Sequence, residues 1–180
     1  MTDLKTWPVL ETKTDIENRI FSIKTKTCRS PRTGRALDFY IMEVGPWVNI
    51  IPLTPDRRVV MVRQFRHGTR EVTLEIPGGL VDAGQTPVDA AVRELREETG
   101  FTCDQATLLG KVRPNPAFMN NWCYSYLATD VALTQNRQMD PGEDLETVLV
   151  DLDQIPEMIR DGRIDHSLVI SAFYHFYNTK

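Results

Sequence analysis

Apolar and polar residues alternate in several short stretches of this chain, and each stretch predicts a strand. Residues 19–28 carry Phe21 and Ile23 at alternate positions, and Leu37, Phe39 and Ile41 repeat the pattern. The Ser30-Pro31-Arg32-Thr33-Gly34 turn lies between them, so an N-terminal β-hairpin is expected. Residues 48–53 and 59–62 read as strands flanking a Pro55-Asp56-Arg57-Arg58 turn. Residues 72–76 form a further short strand that Pro77-Gly78-Gly79 breaks, and 108–112, 122–127 and 148–152 complete the set.

The period then changes. Thr86 suits a helix N-cap, Pro87 the first helical position, Asp89 a capping-box partner and Gly100 the left-handed C-terminal stop. Residues 155–161 and 167–177 also read as helices. In the last, Leu168, Val169, Ala172, Phe173 and Phe176 form a core-facing stripe. The order of elements is not a repeated strand-helix alternation, so the fold class is mixed α/β without dinucleotide-fold winding.

On the helix starting at Thr86, Val88, Ala91, Val92, Leu95 and Thr99 make an apolar face. Glu94, Glu97 and Glu98 share an arc of roughly 100° beside it. Like charges at this spacing repel, and in a cleft two carboxylates ~6 Å apart repel by about 3 kcal/mol. A divalent cation relieves that, and oxygen-only donors select Mg²⁺ or Mn²⁺ before zinc. The same charges would also suit a solvated acidic face with Arg93 and Arg96 as partners.

Charge and composition narrow the chemistry. The 180 residues carry 21 Lys and Arg against 25 Asp and Glu, a formal charge of −4, which argues against a DNA-coating protein. No apolar run is long enough to span a membrane. Cys28, Cys103 and Cys123 are odd in number and widely spaced, which points to a reducing cytoplasm rather than a disulfide framework. His67, His166 and His175 lack metal-ligand spacing, so carboxylates must hold any metal.

Read whole, Gly79-x5-Gln85-x7-Arg93-Glu94-Leu95-x-Glu97-Glu98-x-Gly100-Phe101 resembles the Nudix box, G-x5-E-x7-R-E-U-x-E-E-x-G-U, where U is a bulky aliphatic. One position departs: Gln85 stands where the family has Glu. Around the box, Val62-Arg63-Gln64-Phe65-Arg66, Glu75-Ile76-Pro77-Gly78-Gly79 and Ser167-Leu168-Val169-Ile170 look like the ADP-ribose and nucleoside diphosphate sugar branch. Pro116, 15 residues beyond Phe101, fits that branch. Asn120-Asn121 stands where ADP-ribose hydrolases commonly carry a Glu, which leaves other nucleotide sugars open.

The resemblance implies a Nudix-type α/β/α sandwich with a mixed β-sheet, spanning 46–180. Residues 1–45 would be N-terminal strands that act as a dimerisation arm. It implies a metal-dependent hydrolase that cleaves the pyrophosphate of nucleoside diphosphate sugars such as ADP-ribose. Mg²⁺, with Mn²⁺ as the alternative, would be held by the Gly78 carbonyl, Glu94, Glu98 and Glu143. Glu97 would support the ions, Arg93 would orient Glu94, and Gln85 would pair with Arg93. Glu143, in the acidic Asp140-to-Glu146 segment, is also the candidate base. Arg63, Arg66 and Arg113 are candidate phosphate clamps. Arg63 and Arg66 would face opposite sides of one strand. Trp47 is the candidate stacking residue for the base, with core packing as its alternative. A homodimer is expected. Two rival readings stay open: a Nudix hydrolase for another nucleotide (a dinucleotide, a nucleoside triphosphate or capped RNA), and a nucleotide-sugar-binding module without turnover.

Overall fold

The structure, a computed structural model, describes residues 4–138, 142 and 144–179. The chain divides into two compact units. One runs to Gly45 and takes in Arg113–Asn121, while the other comprises Pro46–Val112 and the chain from Trp122 onward.

The first unit is a three-stranded antiparallel sheet of β1 (Val9–Glu17), β2 (Phe21–Arg29) and β3 (Ala36–Val44), in the order β1-β2-β3. The expected hairpin is β2–β3, with Phe21 opposite Val44 and Cys28 opposite Leu37. Strand β2 starts at Phe21 rather than Arg19. The Asn18 side chain accepts the N–H groups of Ile20 and Phe21 at 2.9 and 3.0 Å, which places Arg19 in the turn. Strand β1 was not anticipated. All nine of its residues are exposed, so charged and threonine side chains replace the apolar alternation that marks a half-buried strand.

The second unit is built on a seven-stranded mixed sheet. Its path runs through β12 (Leu145–Asp151), β5 (Arg58–Arg66), β4 (Trp47–Leu53), β10 (Cys123–Thr129) and β9 (Thr107–Val112). Strand β6 (Glu71–Glu75) pairs with β5, and β7 (Gly78–Leu80) pairs with β4. Only β4 and β10 run parallel among these pairs. Two further short strands, β8 (Phe101–Thr102) and β11 (Ala132–Leu133), pair with each other. The expected break at Pro77-Gly78-Gly79 is instead a sharp return. Gly78 lies opposite Asn49 and Gly79 opposite Val48, so the glycines join the sheet.

Helix α1 (Pro87–Thr99) covers one face of this sheet: Ala90, Ala91 and Leu95 pack with Val48, Ile50 and Val60. Helices α2 (Ile155–Arg160) and α3 (Ser167–Asn178) cover the other, where Val169, Ala172 and Phe173 pack with Ile51, Val59 and Met61. Successive β4 residues alternate between these cores, as period-two geometry requires. The second unit is therefore an α/β/α sandwich. No helix among the described residues is long and apolar enough to cross a membrane.

Candidate active site

Local capping fixes where the acidic helix begins and ends. The Thr86 hydroxyl accepts the Asp89 N–H at 3.3 Å and donates to the Asp89 carboxylate at 2.5 Å. Gly100 takes the left-handed conformation at φ 77°, and its N–H closes on Arg96 O at 2.8 Å. The helix thereby carries Glu94 and Glu98 on the flank of its apolar face, directly against β7.

There the backbone and the carboxylates are in contact. A side-chain carbon on Gly79 would collide with the Glu94 carboxylate, with Glu94 Cδ only 2.6 Å away. The Gly78 N–H donates to Glu98 Oε2 at 3.2 Å. Glu94 and Glu98 are 8 % and 4 % exposed, which is rare for acids and costly without partners.

Arg93 is the hub of the surrounding charge. It reaches Glu94 Oε1 at 3.0 Å, Glu97 Oε2 at 2.8 Å, the Leu80 carbonyl at 3.1 Å and Asp82 Oδ2 at 3.5 Å. Burial disfavours its charge, but the Glu97 bond and the charges of Glu94, Glu97 and Asp82 outweigh that and raise its pKa. Glu97 also pairs with Arg96 at 3.3 Å. Gln85 does not serve Arg93 as expected. Its Oε1 accepts the Asp82 N–H at 3.4 Å, and the carboxylate beside Arg93 is that of Asp82. The Arg93 Nε–H is buried without a hydrogen-bond partner among the described residues.

The two arginines of β5 diverge. Arg66 grips Glu75 with two bonds of 2.7 Å, and Thr73 donates to the same carboxylate at 2.6 Å. Burial pushes the Glu75 carboxyl up, but Arg66, Thr73 and His166 outweigh it and hold the pKa below its ordinary value. Arg63 lies on the other face of β5 and pairs with Glu146 at 2.8 Å, both side chains more than half exposed. Trp47 is half-buried at the start of β4, opposite Leu80 and Cys123. Arg113 belongs to the first unit. Glu143, Asp140 and Pro141 lie outside the described residues.

Residue pattern alone assigns no role to Glu75, Thr73, Asp82, Asn49 or His166. Glu75 had a signal, an acid at an inward alternate position of a strand next to a Pro-Gly-Gly return. The others depend on loop and helix placement that periodicity does not encode.

A hard divalent cation suits a pair of buried carboxylates such as Glu94 and Glu98. Among the described residues no three His, Cys, Asp or Glu side chains converge as a complete cage. Backbone and substrate oxygens would complete the coordination. The residues fit such an ion, because two buried acids lie together against the glycine main chain.

Comparison with known proteins gives the family and the fold. The NUDIX domain model matches residues 45–173. A methanol dehydrogenase activator of Bacillus methanolicus is 32 % identical over 129 residues, covering 71 % of this chain and 70 % of that protein. An ADP-ribose pyrophosphatase of Bacillus subtilis (strain 168) is 29 % identical over 161 residues, covering 86 % of each. Among solved structures, an ADP compounds hydrolase superposes with a TM-score of 0.85 at 24 % identity, covering 98 % of this chain and 95 % of that one. With a family model spanning well over half of its length, the chain belongs to the Nudix hydrolases.

Proposed function

We propose that the protein is a Mg²⁺-dependent pyrophosphohydrolase of nucleoside diphosphate sugars, with ADP-ribose as the reference substrate. The observation that carries this reading is the seating of buried Glu94 and Glu98 against the Gly78-Gly79 backbone, with Glu75, the partner of Arg66, three residues before Gly78. The likeness to the ADP-ribose pyrophosphatase from Bacillus subtilis supports the substrate class.

The Gly78 carbonyl, Glu94, Glu98 and Glu143 would hold the cation. When bound, it neutralises pyrophosphate charge and acidifies water. Arg93 keeps Glu94 and Glu97 in place by direct contacts, so the helix presents its acids without rearrangement. Glu75 fixes the Arg66 guanidinium, whose planar donors match phosphate oxygens. Water attacks one phosphorus and loses its proton to a carboxylate, for which Glu143 is our choice. The P–O bond on the far side breaks, giving a nucleoside monophosphate and a sugar phosphate. Trp47 is assigned to base stacking, and Arg63 and Arg113 to outer phosphate contacts.

We also read the protein as a cytoplasmic homodimer with residues 1–45 as its arm. All three cysteines are free, and Trp7, Phe39 and Tyr40 of the first unit are exposed. Light scattering on the intact chain and on a Phe39→Ser, Tyr40→Ser variant tests the dimer. Incubation of ADP-ribose with the enzyme and Mg²⁺, with and without EDTA, tests the activity. Turnover only with Mg²⁺ supports it, and unchanged turnover in EDTA refutes the metal requirement.

A further inference from the structure

The segment Glu75-Ile76-Pro77-Gly78 carries both halves of the site. Glu75 holds Arg66 at one end, and at the other the Gly78 N–H holds Glu98. The segment is short, so what supports it from behind sets the spacing of the two halves.

Part of that support is a single residue at the start of α3, Leu168. The Leu168 N–H donates to His166 Nδ1 at 3.2 Å, which caps the helix. Nδ1 accepts this bond, so Nε2 is the ring nitrogen left to donate. Nε2 faces Glu75 Oε2 at 3.8 Å. The Leu168 carbonyl, in turn, accepts the Asn49 side-chain amide at 3.1 Å. Asn49 is 6 % exposed and lies opposite Gly78 in the β4–β7 pairing. The packing between them is tight, since a side-chain carbon on Gly78 would stand 3.0 Å from Asn49 Cα and Cβ. The two main-chain groups of Leu168 therefore join the side of the segment near Glu75, through His166, to the side near Gly78, through Asn49.

We propose that His166 and Asn49 are positioning residues that clamp the two ends of this segment, His166 on the Arg66–Glu75 side and Asn49 on the Gly78–Glu98 side. The proposal rests on the functional reading above and extends it to residues outside the Nudix box. Neither side chain touches substrate or cation. Their effect is to hold two recognition groups at a fixed separation, which matters because a displacement of about 1 Å can cost ~10²-fold in rate.

The two ends separate experimentally. His166→Asn keeps a good N-cap but is too short to face Glu75. His166→Gln loses the ring nitrogen that caps α3 yet reaches Glu75 with an amide donor. We expect His166→Asn to raise KM for ADP-ribose ~5-fold or more with kcat little changed, and His166→Gln to restore KM. Asn49→Leu, close in shape and without a donor, should instead weaken Mn²⁺ binding ~5-fold or more, read by electron paramagnetic resonance without substrate. His166→Asn should leave Mn²⁺ binding unchanged. Melting curves accompany each variant, and Asn49→Ser replaces Asn49→Leu if the latter does not fold. The proposal is overturned if KM follows the helix cap, with His166→Gln impaired and His166→Asn normal. It is equally overturned if folded Asn49 variants bind Mn²⁺ as the wild type does. Should the wild type hydrolyse no nucleotide sugar, the functional reading fails on its own, while the Mn²⁺ measurements still decide the Asn49 end of the clamp and a failure there overturns the proposal.

Discussion

Gly79 and Glu94 meet across the β7–α1 junction: a Cβ at position 79 would stand 2.6 Å from Glu94 Cδ. Gly79→Ala should therefore swing the Glu94 carboxylate to another rotamer while strand and helix stay in place. The expected result is a Tm close to that of the wild type together with weaker Mg²⁺ activation, because the displaced group is a proposed ligand. Unchanged Mg²⁺ activation in a folded Gly79→Ala variant would remove Glu94 from the proposed ligands.

Glu98→Gln keeps the shape of the side chain and its bond from the Gly78 N–H while removing the charge. We predict a loss in kcat of at least ~10²-fold, or ~2.7 kcal/mol of barrier. Folding should survive, since one of several neighbouring acids becomes neutral. Steady-state kinetics beside a melting curve checks both halves of this statement.

Glu75 links the site to acid stability. Its folded pKa lies below the ordinary value of 4.5, so its charged form stabilises the fold above that value. The contribution is lost as pH falls through the lowered folded pKa. Glu75→Gln should reduce stability at neutral pH and flatten the acid limb of the stability profile. Urea unfolding from pH 7 down to the acid range measures it. The same variant should raise KM, because Arg66 loses its anchor.

Gln85 sits outside the charge network it was expected to join. Its Oε1 accepts the Asp82 N–H and so shapes the loop that presents Asp82 to Arg93. Gln85→Glu should therefore change kcat by less than ~10-fold. Gln85→Ala should cost less than Glu98→Gln in the same assay. Equal losses would place Gln85 among the groups that contact the reacting centre.

What the sequence disclosed about these residues follows the range of the forces involved. Thr86, Pro87 and Gly100 act within one turn of their own helix, and their roles were readable in order. The opposite facing of Arg63 and Arg66 was also readable, because strand period alone decides it. Strand β1 was hidden because both of its faces are exposed and no apolar alternation marks it. Strand β7 was hidden because its partner β4 lies some thirty residues away and glycine carries no pattern. The partner of Gln85 depends on the path of a loop. His166 and Glu75 are 91 residues apart and meet only because α3 packs on the sheet. For β7 and for the His166–Glu75 approach the missing information was a long-range contact rather than a residue preference.

Hydrolysis of pyrophosphate by water at this carboxylate site leaves an isotopic mark on one product. Mass analysis of products after incubating ADP-ribose with enzyme and Mg²⁺ in ¹⁸O-labelled water reads it directly. AMP and ribose 5-phosphate are expected in equal amounts, one of them carrying a single ¹⁸O on its phosphate, with at least ~10²-fold slower release of both by Glu98→Gln. Intact ADP-ribose, with other nucleotide sugars equally untouched under the same conditions, would contradict it.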